Sequence, residues 1–200
     1  MISTLQASIK QVHSARKEEI LAAARQRMSE KGYASTSMRD LAEDLGIKPA
    51  SLYSHYRSKE EMLWEIALQC AREFHERVLP IASQPVPASM RLEMMVKQHV
   101  AAVIRLREAS TIFFKEWRHL ESGRRATYER FIKEYEAGFI HVIEEGIAAR
   151  EFRPVPAAVA AYTILSSANW VQDWFQPGKA VRAEALATEV STMALNGLRI

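Results

Sequence analysis

The chain of 200 residues has a single cysteine, Cys70, so no intramolecular disulfide can form. That fits a reducing compartment, and a cytoplasmic protein is expected. Cys70 sits in a helical pattern and reads as a small buried hydrophobe rather than a reactive thiol. The sequence has no run of 18 apolar residues, so no transmembrane helix and no membrane partner are expected. The N-terminus, MISTLQASIKQVHSARKEE, has no long apolar stretch of the signal-peptide kind. Residues 1–13 are expected to form a flexible tail. Catalytic signatures are missing too: there is no GxSxG, Walker A loop, HExxH or GxGxxG. The six histidines, at 13, 55, 75, 99, 119 and 141, have no metal-ligand spacing. Glu144 and Glu145 are adjacent on a helix and point apart. No metal, no cofactor and no enzyme activity are therefore expected. Runs that alternate apolar and polar residues at strand length are also absent.

What remains is helical, and it is organised around Thr36–Lys59, TSMRDLAEDLGIKPASLYSHYRSK. Ser37 and Asp40 have capping-box spacing. Met38, Leu41, Ala42 and Leu45 recur at the spacing of one buried helical face. Gly46 can adopt the left-handed conformation that ends a helix. Pro49 suits the first turn of a second helix, where a missing N–H costs nothing. Leu52 and Tyr56 share one face of that helix, while Ser51, Tyr53, Ser54 and His55 occupy the others. Ser58 and Glu61 form a second capping-box pattern at the start of a long helix. Two helices joined by a glycine turn form a helix-turn-helix, whose second helix enters the major groove of DNA. A helical corner that binds nothing has the same outline. The polar residues on a very short helix, with Arg39, Lys48, Arg57 and Lys59 around them, favour DNA. Charge agrees: residues 1–59 hold ten basic and six acidic side chains, whereas the other 141 residues carry a net charge of −1.

The segment GYASTSMRDLAEDLGIKPASLYSHYRSKEEML resembles the N-terminal signature of the TetR family of transcriptional repressors. The matching residues are Gly32, Tyr33, Thr36, Ser37, Met38, Arg39, Asp40, Leu41, Ala42, Gly46, Ile47, Leu52, Tyr53, Tyr56, Ser58, Lys59, Glu60 and Leu63. Lys48 and Ala50 stand where the family usually has Ser and Gly. The resemblance implies DNA contacts from Thr36, Ser37, Arg39, Lys48, Ala50, Ser51, Tyr53, His55 and Lys59. Lys59 is expected on a phosphate, and Ser51 and Tyr53 on bases or flanking phosphates.

Taken in order, the first helix is expected from Ser14 to Lys31, with Ile20, Ala23, Ala24 and Met28 buried. The helix opened by Ser58 runs to about Leu79, where Pro80 stops it. The loop PIASQPVPAS follows. A helix from Ser89 to about Arg107 turns Leu92, Met95, Val96, His99, Val103 and Leu106 inward. Met90, Met94 and Met95 read as core in preference to a pocket wall. Next come a shorter helix in TIFFKEWRHL, a long one from Ser122 to Ile147, one beginning at Pro156, and a last one ended by Gly197. Gln176-Pro177-Gly178 is expected to stop the one before last. The fold class is all-α: a three-helix helix-turn-helix head (14–59) and a body of about six helices (60–200) that binds ligand and dimerises.

The last two helices are almost uncharged along one face, through AAVAAYTILSSANW and Leu186, Val190, Met193, Ala194 and Leu198. On a monomer they would expose a large apolar patch, and pairing across a two-fold axis removes it. Trp170 and Trp174, four residues apart, share a helix face and suit either an interface or a pocket wall. Asn169 needs a hydrogen-bond partner. FRPVPAAVAAYTILSSANWVQDWFQPG, with FFKEWRHL upstream, is similar to a TetR subgroup that responds to acyl-CoA and other CoA thioesters. That similarity implies ligand contacts from Trp117, Arg118, Asn169, Trp170 and Trp174, with Arg118, Arg124 and Arg125 as candidate phosphate partners. The expected function is a homodimeric repressor on a palindromic double-stranded operator, released by a small-molecule effector of the CoA-thioester class. An all-α protein-interaction module or an enzyme without DNA binding are the alternatives at this stage.

Overall fold

The computed structural model describes residues 2–176 and 182–199, with side chains from Ala15 onward. Its described residues form nine α-helices: α1 (Ile2–Lys31), α2 (Met38–Asp44), α3 (Pro49–Tyr53), α4 (Lys59–Val78), α5 (Ala88–Arg105), α6 (Arg107–Lys115), α7 (Ser122–Ala148), α8 (Ala157–Trp174) and α9 (Ala183–Asn196). Two 3-10 turns, Leu79–Ser83 and Trp117–His119, lie between them, and there is no strand among the described residues. The expected all-α architecture is the one observed.

Three boundaries differ from the sequence reading. Helix α1 starts at Ile2 rather than near Ser14, so the segment expected to be a flexible tail is helical. No Gly or Pro occurs before Gly32, so nothing in the sequence halts the helix toward its N-terminus. The expected single helix 89–107 is broken at Leu106 (φ −102°, ψ 29°), and α6 begins at Arg107 instead of after Ser110. TIFFKEWRHL accordingly divides between α6 and the 3-10 turn Trp117–His119. Helix α8 ends at Trp174; Pro177 and Gly178, expected to stop it, lie outside the described residues.

Helices α1, α2 and α3 form the head, and α1 also packs on α4 and α6. In the body α5 is central, with α4, α7, α8 and α9 against it. The apolar faces of both parts meet in one continuous core, from Ile20, Leu41, Leu52 and Tyr56 through Ile66, Leu92 and Phe139 to Phe152 and Leu195. At Gly146 an added Cβ would come 2.2 Å from the Phe152 ring, so glycine there lets Phe152 close the C-terminal end of α7.

Candidate functional site: a short exposed helix and a body cavity

Helix α3 has only five residues, far too few to be stable alone. It is held by what surrounds it. The α2–α3 turn is a Schellman motif: Gly46 (φ 62°) donates to the Glu43 carbonyl at 3.0 Å, and Ile47 N–H donates to the Ala42 carbonyl at 2.9 Å. Upstream, Ser37 Oγ accepts from the Asp40 N–H (3.1 Å) while the Asp40 carboxylate accepts from the Ser37 N–H (2.9 Å), completing the expected capping box. The Ser37 hydroxyl, which donates to the Asp40 carboxylate at 2.7 Å, and then the Ser37 N–H hold that carboxyl below its ordinary range, with Arg27 and Arg39 adding to the effect. Arg27 grips Asp44 through both carboxylate oxygens (2.8 and 2.7 Å) and fastens α1 to α2. Helix α3 has no side-chain N-cap, since Lys48 occupies that position. Its anchorage therefore comes from Leu52 and Tyr56, both fully buried.

The opposite side of α3 faces outward. Tyr53 is 52% exposed, Lys48, Ala50, Ser51 and Ser54 are exposed, and His55 is half-buried. Ser37 and Arg39 are also exposed, on the adjoining start of α2. Two of the nine expected DNA-contact residues are placed differently. Thr36 is buried and its hydroxyl donates to the Gly32 carbonyl at 2.9 Å, which makes it a brace of the turn after α1. Lys59 donates to the Tyr33 carbonyl at 2.7 Å, with its ammonium 4.0 Å from the Tyr33 ring centroid. Burial lowers the Lys59 pKa, and Glu116 and Asp40 oppose that. At the start of α4, Ser58 Oγ accepts from the Glu61 N–H as expected, but Glu61 reaches back to the N–H of Arg57 rather than of Ser58.

The body holds a partly open cavity of about 380 Å³ among α4, α5, α6, α7 and α8. Its walls are largely aromatic, with Phe74, Phe113, Phe114, Phe131 and Trp117 among them. Trp117 stacks face to face on Tyr128, ring centroids 5.5 Å apart. A hydrogen-bonded polar cluster lies within the lining. His99, fully buried on α5, lies 2.8 Å from the Tyr135 hydroxyl through Nδ1 and 2.9 Å from Asn169 Oδ1 through Nε2. Burial pushes the His99 pKa down to about 4, so the ring is neutral at pH 7. Burial likewise raises the Tyr135 phenol. Glu129, Lys133 and Glu136 of α7 also line the cavity, with Glu129 and Lys133 exposed.

Of the five expected ligand residues, Trp117 and Asn169 line this cavity, and Arg118, Trp170 and Trp174 do not. Trp170 and Trp174 are 64% and 47% exposed. A helix turns about 100° per residue, so with Asn169 inward Trp170 must swing out. Trp174 instead lines an open apolar groove of about 470 Å³ between α8 and α9, with Val159, Val190 and Met193. Arg118 is exposed, and Arg124 pairs with Glu60. Met95 is core, Met90 is exposed and Met94 half-buried, and none of the three lines the cavity. The Cys70 thiol, 4.0 Å from Ser110 Oγ, is pushed up to about 12 by burial and is inert at neutral pH. The sequence turned His99 inward with no polar role and did not single out Tyr135. The available signal was a polar ring on a buried helical face, which requires partners.

Short contacts join head and cavity. The 3-10 turn Trp117–His119 presents Trp117 to the cavity and lays His119 on the Tyr33 ring of the head, centroids 4.8 Å apart. One residue before that turn's C-terminal segment enters α7, Glu60 of α4 accepts from the Glu121 N–H (3.1 Å) and pairs with Arg124.

Comparisons with known proteins agree with this architecture. The family model for bacterial regulatory proteins of the tetR family matches residues 20–66, and that for the tetracyclin repressor-like C-terminal domain matches residues 85–198. The HTH-type transcriptional repressor KstR2 of Rhodococcus jostii is 29% identical over 187 residues, covering 92% of each chain. The structure of the ketosteroid transcriptional regulator KstR2 of Mycobacterium tuberculosis superposes with a TM-score of 0.87 over 92% of this chain and 95% of that one, at 24% identity. AibR, solved in complex with isovaleryl coenzyme A and operator DNA, superposes with a TM-score of 0.80 over 89% of this chain and 97% of that one, at 26% identity. With both halves matched and the helix order shared, the chain belongs to the TetR family of bacterial transcriptional regulators.

Proposed function

We propose that this regulator is a cytoplasmic repressor that binds a palindromic operator as a homodimer and leaves it when a small-molecule effector fills the body cavity. Residues 14–59 form the reading head and 60–200 the effector-binding and dimerisation body. The observation that carries the reading is α3 itself: a five-residue helix anchored by Leu52 and Tyr56, with Ser51, Tyr53 and Ser54 turned to solvent. So short a helix with so much polar surface is poorly explained as core. Ser37, Arg39, Lys48, Ala50, Ser51, Tyr53 and His55 supply the contacts. Lys59 joins them through the ammonium hydrogens that Tyr33 does not use.

Dimerisation is assigned to α8 and α9. Their outer face exposes Val159, Tyr162, Trp170, Trp174 and Met193, too many large apolar side chains for a surface left bare. A two-fold axis there sets two heads on one side of the dimer, facing half-sites roughly 34–36 Å apart.

The effector is assigned to the CoA-thioester class. Support comes from the Asn169–Trp170 block and from AibR, which shares the fold and binds isovaleryl coenzyme A. The acyl group enters the aromatic cavity. The exposed Arg118, Arg125 and Lys133 serve the phosphates, since Arg124 is committed to Glu60. Occupancy displaces Trp117, and the turn it belongs to shifts His119 on Tyr33 and the Glu60–Arg124 pair, re-aiming the heads. An effector acts only by its difference in affinity between the two arrangements. The test is a gel shift with the full chain and the DNA upstream of its own gene, with and without a panel of acyl-CoAs. A salt-sensitive complex released by one acyl-CoA supports the proposal. No complex in low salt refutes DNA binding, and a complex that no acyl-CoA disturbs refutes the effector class.

A further inference from the structure

The cluster on the cavity floor has a polarity that hydrogen-bond directions determine. His99 is neutral, so one ring nitrogen donates and the other accepts. Nε2 faces Asn169 Oδ1, which only accepts; Nε2 therefore carries the proton. Nδ1 is then the acceptor, and the Tyr135 hydroxyl donates to it. The three groups thus share one consistent set of directions, Tyr135 to His99 to Asn169, with the amide oxygen toward α5. Asn169 Nδ2 makes no hydrogen bond among the described residues, on a side chain that lines the cavity. Among the described residues, the only basic side chain of the lining other than histidine is the exposed Lys133.

We propose that Tyr135, acting through His99, orients Asn169 to donate into the cavity, and that this selects effectors whose buried portion carries a neutral ketone oxygen beyond any ester or thioester carbonyl. Asn169 is the contact residue, and His99 and Tyr135 are positioning residues. An acyl group that is hydrocarbon beyond its ester or thioester carbonyl covers Asn169 without accepting from its amide. A carboxylate there has no counter-charge. A ketone oxygen satisfies both conditions. The inference rests on the cavity being the effector site, and it does not depend on the CoA moiety.

The experiment compares matched ligands differing by one oxygen: cyclohexanecarbonyl-CoA and 4-oxocyclohexanecarbonyl-CoA, together with the methyl esters of the two acids. Binding to the full chain is measured by titration calorimetry, with circular dichroism confirming that each variant is folded. Wild type is expected to favour the oxo ligand about fivefold or more, the worth of one net hydrogen bond. Asn169→Leu is expected to abolish that preference while binding the deoxy ligand at least as well. Tyr135→Phe removes the proton that holds Nδ1 as acceptor. The imidazole proton is then free to move to Nδ1 and the amide to turn, and the preference for the oxo ligand falls although Asn169 is intact. A merely structural role for Tyr135 would weaken both ligands alike. Equal affinity for the pair in wild type, a preference that survives Asn169→Leu, or binding of none of the four compounds overturns the inference. An oxo preference among the methyl esters without binding of either thioester upholds it and removes the CoA assignment instead.

Discussion

Replacing Leu52 by alanine separates the anchorage of α3 from its chemistry. Leu52 is fully buried and is the only buried residue within the helix. The helix has no side-chain N-cap to share the load. Truncating a fully buried leucine costs about 3 kcal/mol, within the range of about 2–5 kcal/mol seen for such changes. Little of the body depends on Leu52, so the loss falls on local opening of α2 and α3. About 3 kcal/mol raises the open population roughly 100-fold. Hydrogen exchange followed by mass spectrometry reads this directly. Amides of residues 41–57 should exchange roughly 100-fold faster, while α5 and α8 keep their protection. DNA binding should fall in parallel. Tyr53→Ala is the contrasting variant: Tyr53 is 52% exposed, so exchange should not change, yet DNA affinity should drop. If Leu52→Ala left both exchange in 41–57 and DNA affinity at wild-type levels, the idea that this side chain holds the reading helix in place would be wrong.

Three further outcomes are expected. Glu60→Gln or His119→Ala should keep DNA affinity in the absence of effector within a few-fold, while shrinking the loss of affinity caused by the most effective acyl-CoA; an undiminished loss in DNA-binding titrations would rule out the Trp117–His119 route. Stability should depend on pH through His99: its folded pKa, about 4, lies below the ordinary histidine value of 6.5, so the unfolded chain binds the proton more tightly. The stabilisation is complete above pH 6.5 and is lost as pH falls toward 4, by about 3 kcal/mol in all. Urea melts between pH 4 and 7 should show His99→Gln with a shallower decline than wild type. Finally, Val159→Glu combined with Met193→Glu places charge on side chains that are 60% and 72% exposed in the single chain, so the fold should survive. Sedimentation should show the dimer reduced to monomer, and an unchanged dimer would exclude this face as the interface.

The head was readable in the sequence because its determinants are local. Gly46, Pro49 and the Leu52–Tyr56 spacing each act within a few residues, and so does the Ser37–Asp40 box. The cavity was not readable, because its polar cluster depends on chain segments far apart: His99 and Tyr135 are 36 residues apart, and His99 and Asn169 70. Spacing put Trp170 and Trp174 on one face of α8 but could not say which way that face points. Asn169 takes the inward position because it has His99 to bond, and the two indoles go outward. Thr36 looked like a DNA contact until the fold brought the Gly32 carbonyl within 2.9 Å of its hydroxyl. The break at Leu106 has no glycine or proline to announce it; α5 and α6 must diverge there to pack on different neighbours.

The central claim is that a dimer delivers two copies of α3 to one duplex. Selection of binding sites by the purified full chain from random-sequence DNA tests it most directly. Enrichment of an inverted repeat whose half-site centres lie about one helical turn apart is expected, with Tyr53→Ala and Ser51→Ala relaxing the preference inside each half-site. Enrichment of a single unrepeated site, or no enrichment at low salt, would contradict it.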